Sequence, residues 1–379
     1  MMEGGMEIAF FGSSRPFACH DGAAAYYRGI IRALHERGHR ITLYEPGTMT
    51  GQGRMYRNQP TGSRPTDRES AVLVYPPNEE GARRAIKIAR EADILIKVSG
   101  SNLRQAEQLE AWLEEAVLIA KKNGAKAVFW DIDAPATLER LRRNDKDPFR
   151  RLVREYDYIF TYGGGTPVIK GYRELGAKSC MPIYNALDPS THYPAPCDPR
   201  FRADMSFLGN LIPDIEAGVE EFYLRPARIL GYKSFVLGGN GWEKKAKPPN
   251  VRYVGNVKPC DKNAFNCSAK AALTVCRTGA APAGYSPPAR VFEAAGAGAC
   301  IITDPWDGME MFLEPGREIL VAKDGKEVAE ILASLSPDDA REIGQAALSK
   351  VLAQHTYAHR AAQFEMVFGQ GGREVAKCA

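Results

Sequence analysis

The stretch Tyr285–Asp304, YSPPARVFEAAGAGACIITD, holds the residue types best placed to do chemistry. Pro287-Pro288 opens a helix that carries Arg290 and Glu293. Positions i and i+3 share one helix face. Proline in the first turn leaves the other free amides pointing outward, and such a terminus can hold a phosphate. A carboxylate one turn further in can accept both hydroxyls of a ribose. Ala294–Ala299 contains only Ala and Gly, which lets the helix pack closely and lets backbone approach a ligand. The same pair equally describes a salt bridge on an ordinary amphipathic helix, and spacing alone does not separate the two.

Asp131-Ile132-Asp133 looks like a metal-binding D-x-D, but it follows a strand and no other ligand cluster accompanies it. A carboxylate at a strand's carboxyl end facing a cleft can instead act as a general base. Asp133 is also placed to cap the helix begun at Pro135. His20, in His20-Asp21-Gly22, is a second base candidate, because imidazole titrates near neutrality. It reads as well as a surface histidine with Asp21 as a helix cap. His355 and His359 stand at i, i+4 on a late helix, with no third metal ligand in view. Tyr26 and Tyr27 could stack on a sugar or acceptor ring, but alongside Ile30 and Ile31 core packing explains at least one of them better. The run Arg140–Arg154, RLRRNDKDPFRRLVR, is the most basic in the chain and reads mainly as helix surface.

The elements that must position these residues alternate strand and helix. Strands are expected near 8–11, 41–44, 72–75, 94–98, 127–130, 159–162 and 180–183, with helices near 23–37, 79–91, 103–122, 136–142 and 167–175. Asp188–Arg202 contains four prolines and no hydrophobic periodicity, so it reads as a linker. A second series follows, with strands near 205–208, 234–237, 251–254, 272–275, 300–303 and 319–321. Its helices are expected near 216–230, 289–295, 326–335 and 337–353, with a last one running to about 368. The alternation implies parallel sheets, in which ligands bind beyond the carboxyl ends of the strands. We expect an α/β chain of two doubly wound, Rossmann-like domains facing a central cleft. The N-terminal one spans 1–190 and the C-terminal one 191–355. The C-terminal helix and tail, 356–379, pack back toward the first.

Composition fits that scheme. The chain has 379 residues, 44% hydrophobic and 25% charged, with a formal net charge of +4. That is an ordinary soluble mix, too weakly basic to indicate a nucleic-acid binder by itself. None of the eight cysteines forms a C-x-x-C pair, and they read as reduced cytosolic thiols. The start lacks the basic region of a signal peptide, and no apolar run reaches the length of a membrane span. A cytoplasmic protein without integral membrane contact is expected.

MSFLGN (205–210), ARVFEAAGAGACIITD (289–304), MEMFLEPGREILVA (309–322) and WDIDAPATL (130–138) together resemble the CgeB-like glycosyltransferases, named after a spore-maturation protein, of the GT-B superfamily. The resemblance covers most of the chain. It implies a GT-B fold, a nucleotide-sugar donor in the C-terminal domain, an acceptor in the N-terminal one, and transfer without a metal. Glu293 then matches the ribose carboxylate, and Arg290 an arginine near the diphosphate. Gly209 and Asn210 match the first glycine turn of the donor domain. Gly239, Asn240, Gly255 and Asn256 would flank the nucleoside. The Trp-x-x-Asp-x-Pro resemblance favours Asp133 over Asp131 for the acceptor side.

Two departures stand out. The first carboxylate of a Glu-x7-Glu motif would fall at 285, which is Tyr285. No basic residue follows Asn210 until Arg225, so Arg290, Arg277 or Arg225 must meet the diphosphate. The resemblance thus implies transfer of a sugar from a nucleotide-sugar, most simply a UDP-sugar used as co-substrate, to a hydroxyl of a glycan, a small molecule or a nucleic acid. Two alternatives remain at this level: a catalytically degenerate nucleotide-sugar or glycan-binding partner protein, and a nucleotide-sugar epimerase. No G-x-G-x-x-G follows the first strand, which disfavours a dinucleotide-dependent dehydrogenase.

Overall fold

The computed structural model describes residues 5–12, 22–47, 71–100, 107–121, 124–276 and 284–369. The chain divides into two compact units, one of Met1–Tyr184 with Arg360–Ala379 and one of Asn185–His359.

Unit 1 is built on the strands β1 (Glu7–Phe11), β2 (Arg40–Pro46), β3 (Ala71–Tyr75), β4 (Ile94–Val98), β5 (Lys126–Asp131), β6 (Tyr158–Thr161) and β7 (Cys180–Pro182). They pair in parallel in the order β3-β2-β1-β4-β5-β6-β7. Ile8 registers with Ile41 on one side and Ile94 on the other. Every residue of β4 is buried, as expected of a central strand covered on both faces. The crossover helices include α1 (Gly22–Glu36), α2 (Glu79–Ala89), α3 (Glu107–Ala120), α4 (Ala134–Arg143), α5 (Pro148–Leu152) and α6 (Gly165–Glu174). Tyr26 and Tyr27 on α1 are both fully buried. The Tyr26 hydroxyl donates to Ile183 O at 2.6 Å and accepts from Trp130 Nε1 at 3.0 Å. Both rings are core.

The short α5 was not anticipated from sequence. Asp147 caps it by accepting the Phe149 amide at 3.0 Å, and it seats Phe149 in the core. The surrounding basic run is largely neutralised. Arg140 faces Asp147 at 3.4 Å, Arg143 pairs with Glu139 at 2.6 Å, Arg150 with Asp145 at 3.6 Å and Arg151 with Glu115 at 3.0 Å.

Unit 2 has the strands β8 (Ala203–Leu208), β9 (Phe235–Gly238), β10 (Val251–Tyr253), β11 (Ala269–Thr274), β12 (Ile301–Thr303) and β13 (Leu320–Val321), parallel in the order β10-β9-β8-β11-β12-β13. The helix expected over 216–230 starts earlier and is not uniform: α7 (Pro213–Val219) runs through a π-helical turn (Glu220–Leu224) into α8 (Arg225–Ile229). Pro226 has no N–H to continue the ladder, and the wider turn just before it absorbs the gap. α9 (Lys262–Ser268), also unanticipated, precedes β11, and α10 (Ala289–Gly296) precedes β12. α11 (Gly325–Ser334) is capped by Asp324, and α12 (Pro337–Gln354) by Ser336.

The proline-rich stretch 188–202 packs within unit 2. Phe201 is buried against Phe265 with ring centroids 5.1 Å apart, and the Asp198 amide donates to Ser268 Oγ at 2.8 Å. His355 ends α12, and α13 (Tyr357–Gly369) begins two residues later. The two histidines expected on one helix face are therefore separated by a break in the helix. From Arg360 onward α13 belongs to unit 1, where Phe364 stacks on Trp130 at 5.9 Å and Gln363 donates to Pro182 O at 3.2 Å.

Beneath the carboxyl end of β4 lies a buried ionic cluster. Lys97, fully buried, pairs with Glu110 at 2.8 Å, and the other Glu110 oxygen accepts the Gly100 amide at 2.8 Å. Burial pushes the neighbouring Glu114 carboxyl up to about 8, and the charge of Glu110 adds to the shift. Unfolded, Glu114 ionises near its ordinary value of 4.5, while the folded chain keeps the proton until about pH 8. Stability from this group is complete below the lower value and lost as pH rises to the upper one. Glu114→Gln should leave the melting temperature at pH 4 nearly unchanged and raise it by about 5 °C at pH 8. Thermal melts of both proteins across that range measure it.

Candidate functional site

Three Gly-Asn pairs follow neighbouring strands at one rim of unit 2: Gly209-Asn210 after β8, Gly239-Asn240 after β9 and Gly255-Asn256 after β10. Backbone bonds join the three turns. The Gly209 amide donates to Gly238 O at 3.0 Å, the Leu211 amide to Asn240 O at 2.8 Å and the Gly239 amide to Gly255 O at 2.8 Å. Asn210 Oδ1 accepts the Asn240 amide at 2.9 Å, and Trp242 Nε1 donates to Gly209 O at 2.7 Å. Gly239 has φ +124°, and a Cβ there would lie 2.1 Å from Gly209 O. Only glycine allows the first two turns to approach so closely. Asn210, Asn240 and Asn256 are exposed on this rim.

One face of α10 carries the charged pair. Arg290 Nη1 donates to Glu293 Oε2 at 2.7 Å, and its Nη2 donates to Asn266 Oδ1 on α9 at 3.0 Å. His192 Nε2 lies 3.9 Å from the same Glu293 oxygen. Burial alone would push the Glu293 carboxyl up, but Arg290, His192 and Lys262 outweigh it and hold it below its ordinary range. The group is therefore ionised at neutral pH, with its side chain 21% exposed. Burial pushes the His192 imidazole down from 6.5, assisted by Arg290 and Lys262 against the pull of Glu293 and Asp188.

Immediately before this helix, Tyr285 adopts φ +48°, a left-handed conformation rare for a residue with a side chain. Its amide donates to Asp307 O at 2.8 Å, and Gly308 lies against its ring. Nearby, the Cys276 amide donates to Asp304 Oδ1 at 2.9 Å, and burial pushes the Asp304 carboxyl up. Thr274 Oγ1 and Trp306 Nε1 are buried with no hydrogen-bond partner among the described residues.

In unit 1, Asp131 and Asp133 have opposite surroundings. Asp131 is fully buried; it accepts the Tyr172 hydroxyl at 2.5 Å and the Asp133 amide at 3.0 Å. Asp133 is exposed at the start of α4, and its side chain makes no hydrogen bond to the first-turn amides. It stands at the N-cap position expected of it, where its backbone carbonyl accepts the Thr137 amide at 3.0 Å. His20 and Arg277 lie outside the described residues. Arg225 pairs with Glu221 at 2.5 Å on the π-turn. Among the described residues no group of three or more His, Cys, Asp or Glu is placed to hold a metal ion.

His192, Lys262, Asn263 and Asn266 were missed by sequence reasoning. His192 sits in a stretch read as linker, and the α9 sequence KNAFNCS carries little helical signal.

Residues 218–366 match the family model described as "Glycosyl transferase-like". No curated protein matches the chain by sequence. Solved structures share its fold. Sucrose-phosphate synthase from Thermosynechococcus elongatus superposes with a TM-score of 0.65 at 13% identity, covering 96% of this chain and 98% of that one. Anabaena HepE in complex with UDP-glucose gives 0.64 at 12%, covering 96% and 99%. The T4 phage enzyme BGT with its UDP-glucose substrate gives 0.59 at 13%, covering 96% and 100%. The fold is GT-B.

Within this GT-B chain the family-model match takes in Arg290, Glu293 and two of the Gly-Asn pairs, whereas Gly209, Asn210 and His192 precede it. The joined glycine turns make a direct test of the rim. Gly239→Ala meets both a positive φ and the Gly209 carbonyl, and should cost about 3 kcal/mol or more. Gly255→Ala has φ +73° with open space around the added carbon, and should cost only about 1 kcal/mol. Urea denaturation of the two variants measures the difference.

Proposed function

We propose that the chain is a glycosyltransferase that moves a sugar from a nucleotide-sugar, a UDP-sugar, to a hydroxyl acceptor. The observation that carries this reading is the ionised Glu293 beside Arg290 on α10, within a GT-B fold. Glu293 accepts the ribose hydroxyls. Arg290, the opening amides of α10 and Arg277 balance the diphosphate, so positive charge comes from the protein and no metal is needed. Gly209, Asn210, Gly239, Asn240, Gly255 and Asn256 flank the nucleotide. The UDP assignment is supported by the likeness to HepE and the T4 enzyme, both described with UDP-glucose.

In the reaction the acceptor oxygen bonds to the anomeric carbon as that carbon's bond to the diphosphate breaks. The hydroxyl proton passes to a base, which we assign to Asp133 or His20. Asp133 has the exposure this requires, at the carboxyl end of β5. The leaving diphosphate takes the bonding electrons and is stabilised by Arg290. The acceptor is a glycan or small molecule in preference to a nucleic acid, because acidic partners occupy most of the basic run on α4 and α5. Among the described residues no helix is long and apolar enough to cross a membrane. We assign the protein to the cytoplasm, in keeping with the free thiols of Cys180, Cys197, Cys260, Cys267, Cys276 and Cys300.

Calorimetry with UDP, GDP, ADP and dTDP tests the donor site. UDP should bind selectively, and Glu293→Ala should weaken it at least about tenfold. Binding of no nucleotide at all overturns the transferase reading. Asp133→Asn should lower kcat by about 10²–10⁴-fold with UDP affinity unchanged, measured as UDP release in the presence of acceptor. UDP-sugar binding without turnover across a broad acceptor panel would point to a binding protein instead, and consumption of donor without acceptor to an epimerase.

A further inference from the structure

Glu293 spends one oxygen on protein. Oε2 takes the Arg290 guanidinium at 2.7 Å, and among the described residues nothing hydrogen-bonds Oε1. His192 Nε2 stands 3.9 Å from Oε2, beyond hydrogen-bond reach. The imidazole is therefore beside the carboxylate without being bonded to it.

The position of His192 is built by its neighbours. Its Nδ1 meets Thr191 Oγ1 at 2.9 Å, which orients the ring and leaves Nε2 toward Glu293. Thr191 O accepts Asn263 Nδ2 from α9 at 3.0 Å. Gly296 on α10 leaves room for the same segment: a Cβ there would come within 2.3 Å of Leu187 Cδ1 and 3.1 Å of His192 O. Two helices thus hold residues 187–192 beside the charged pair, and the His192 side chain stays 17% exposed.

A ribose offers two adjacent hydroxyls, each both donor and acceptor. One carboxylate can take both protons, but the oxygens then have lone pairs left to satisfy. An imidazole nitrogen beside the carboxylate supplies that second partner. Taking the proposed donor site as its premise, we propose that His192 is a specificity residue of this site. Its Nε2 bonds one hydroxyl of the ribose that Glu293 grips, so that the site selects ribonucleotides over deoxyribonucleotides. The neutral state favoured by burial leaves Nε2 able to accept or donate according to tautomer.

The test is calorimetry with UDP, 2′-deoxy-UDP and 3′-deoxy-UDP on the full chain, comparing wild type, His192→Ala and His192→Gln. Wild type should lose about tenfold in affinity for each missing hydroxyl. His192→Ala should bind UDP about tenfold more weakly than wild type, while one of the two deoxy-nucleotides binds both proteins alike. His192→Gln, which keeps a side-chain amide, should recover part of the discrimination and shows whether loss in the Ala variant reflects misfolding. Equal weakening of all three ligands, or unchanged discrimination in His192→Ala, overturns the role of His192 while leaving the donor site standing. Failure of wild type to bind any of the three removes the donor reading and this inference with it.

Discussion

The pairing of Arg290 with Glu293 is the interaction on which the organisation of unit 2 turns. A carboxylate four-fifths withdrawn from water is costly unless charge and hydrogen bonds surround it. Arg290 supplies the charge and is itself steadied by Asn266, which requires α9 to lie alongside α10. The small residues after Glu293 then acquire a definite purpose. Gly296 admits the 187–192 segment on one side. On another side Gly344 of α12 fits over the turn after α10, where a Cβ would lie 2.3 Å from Gly298 O. Close packing around the helix and a partly buried ion pair on it are one arrangement, because the helix must be fixed before the charge can be held in place.

Each unit places its polar chemistry at the carboxyl rim of a parallel sheet, where the loops escape the covering helices. The two rims use different materials. In unit 2 backbone predominates, with glycine turns joined by main-chain bonds and asparagines left outward. In unit 1 two carboxylates two residues apart divide the work. Asp131 points inward and fixes the turn through the Tyr172 hydroxyl and the Asp133 amide. Asp133, beyond the end of the strand, is exposed.

Much of this was legible in the sequence because parallel strands leave a strong trace. Ile94–Val98 is apolar at every position except Lys97, and its bounds coincide with the strand found. The spacing of Arg290 and Glu293 put them on one helix face, and there they pair. What stayed hidden lacked periodicity. The helix Lys262–Ser268 has Asn, Cys and Ser where helix formers would normally signal it, and its polar residues bond to distant parts of the chain. His192 lies in a proline-rich stretch whose composition suggests looseness, yet specific bonds to α9 and space left by Gly296 hold it. Neither kind of long-range contact can be read from a local window.

Tyr285 shows the same lesson from the other side. It stands where the family resemblance would put a carboxylate, and taken alone the substitution suggests a degraded site. The backbone gives a different account. A tyrosine at φ +48° costs about 1–2 kcal/mol and persists only when its surroundings fix it. Here they do: Asp307 O takes its amide proton, and its ring occupies space that only glycine at 308 leaves, since a Cβ there would fall 2.2 Å from Tyr285 Cδ1. Gly284, at φ +60°, packs against Asp307, where an added Cβ would lie 2.9 Å from the Asp307 Cβ. Two glycines and one strained aromatic residue pack together where the chain enters α10. A carboxylate side chain at 285 would bear the same strain and lose the ring contact. Residues 284–288 thus pack around an aromatic ring, while the charges that hold Glu293 ionised come from elsewhere, from Arg290, His192 and Lys262. The missing carboxylate leaves those charges untouched.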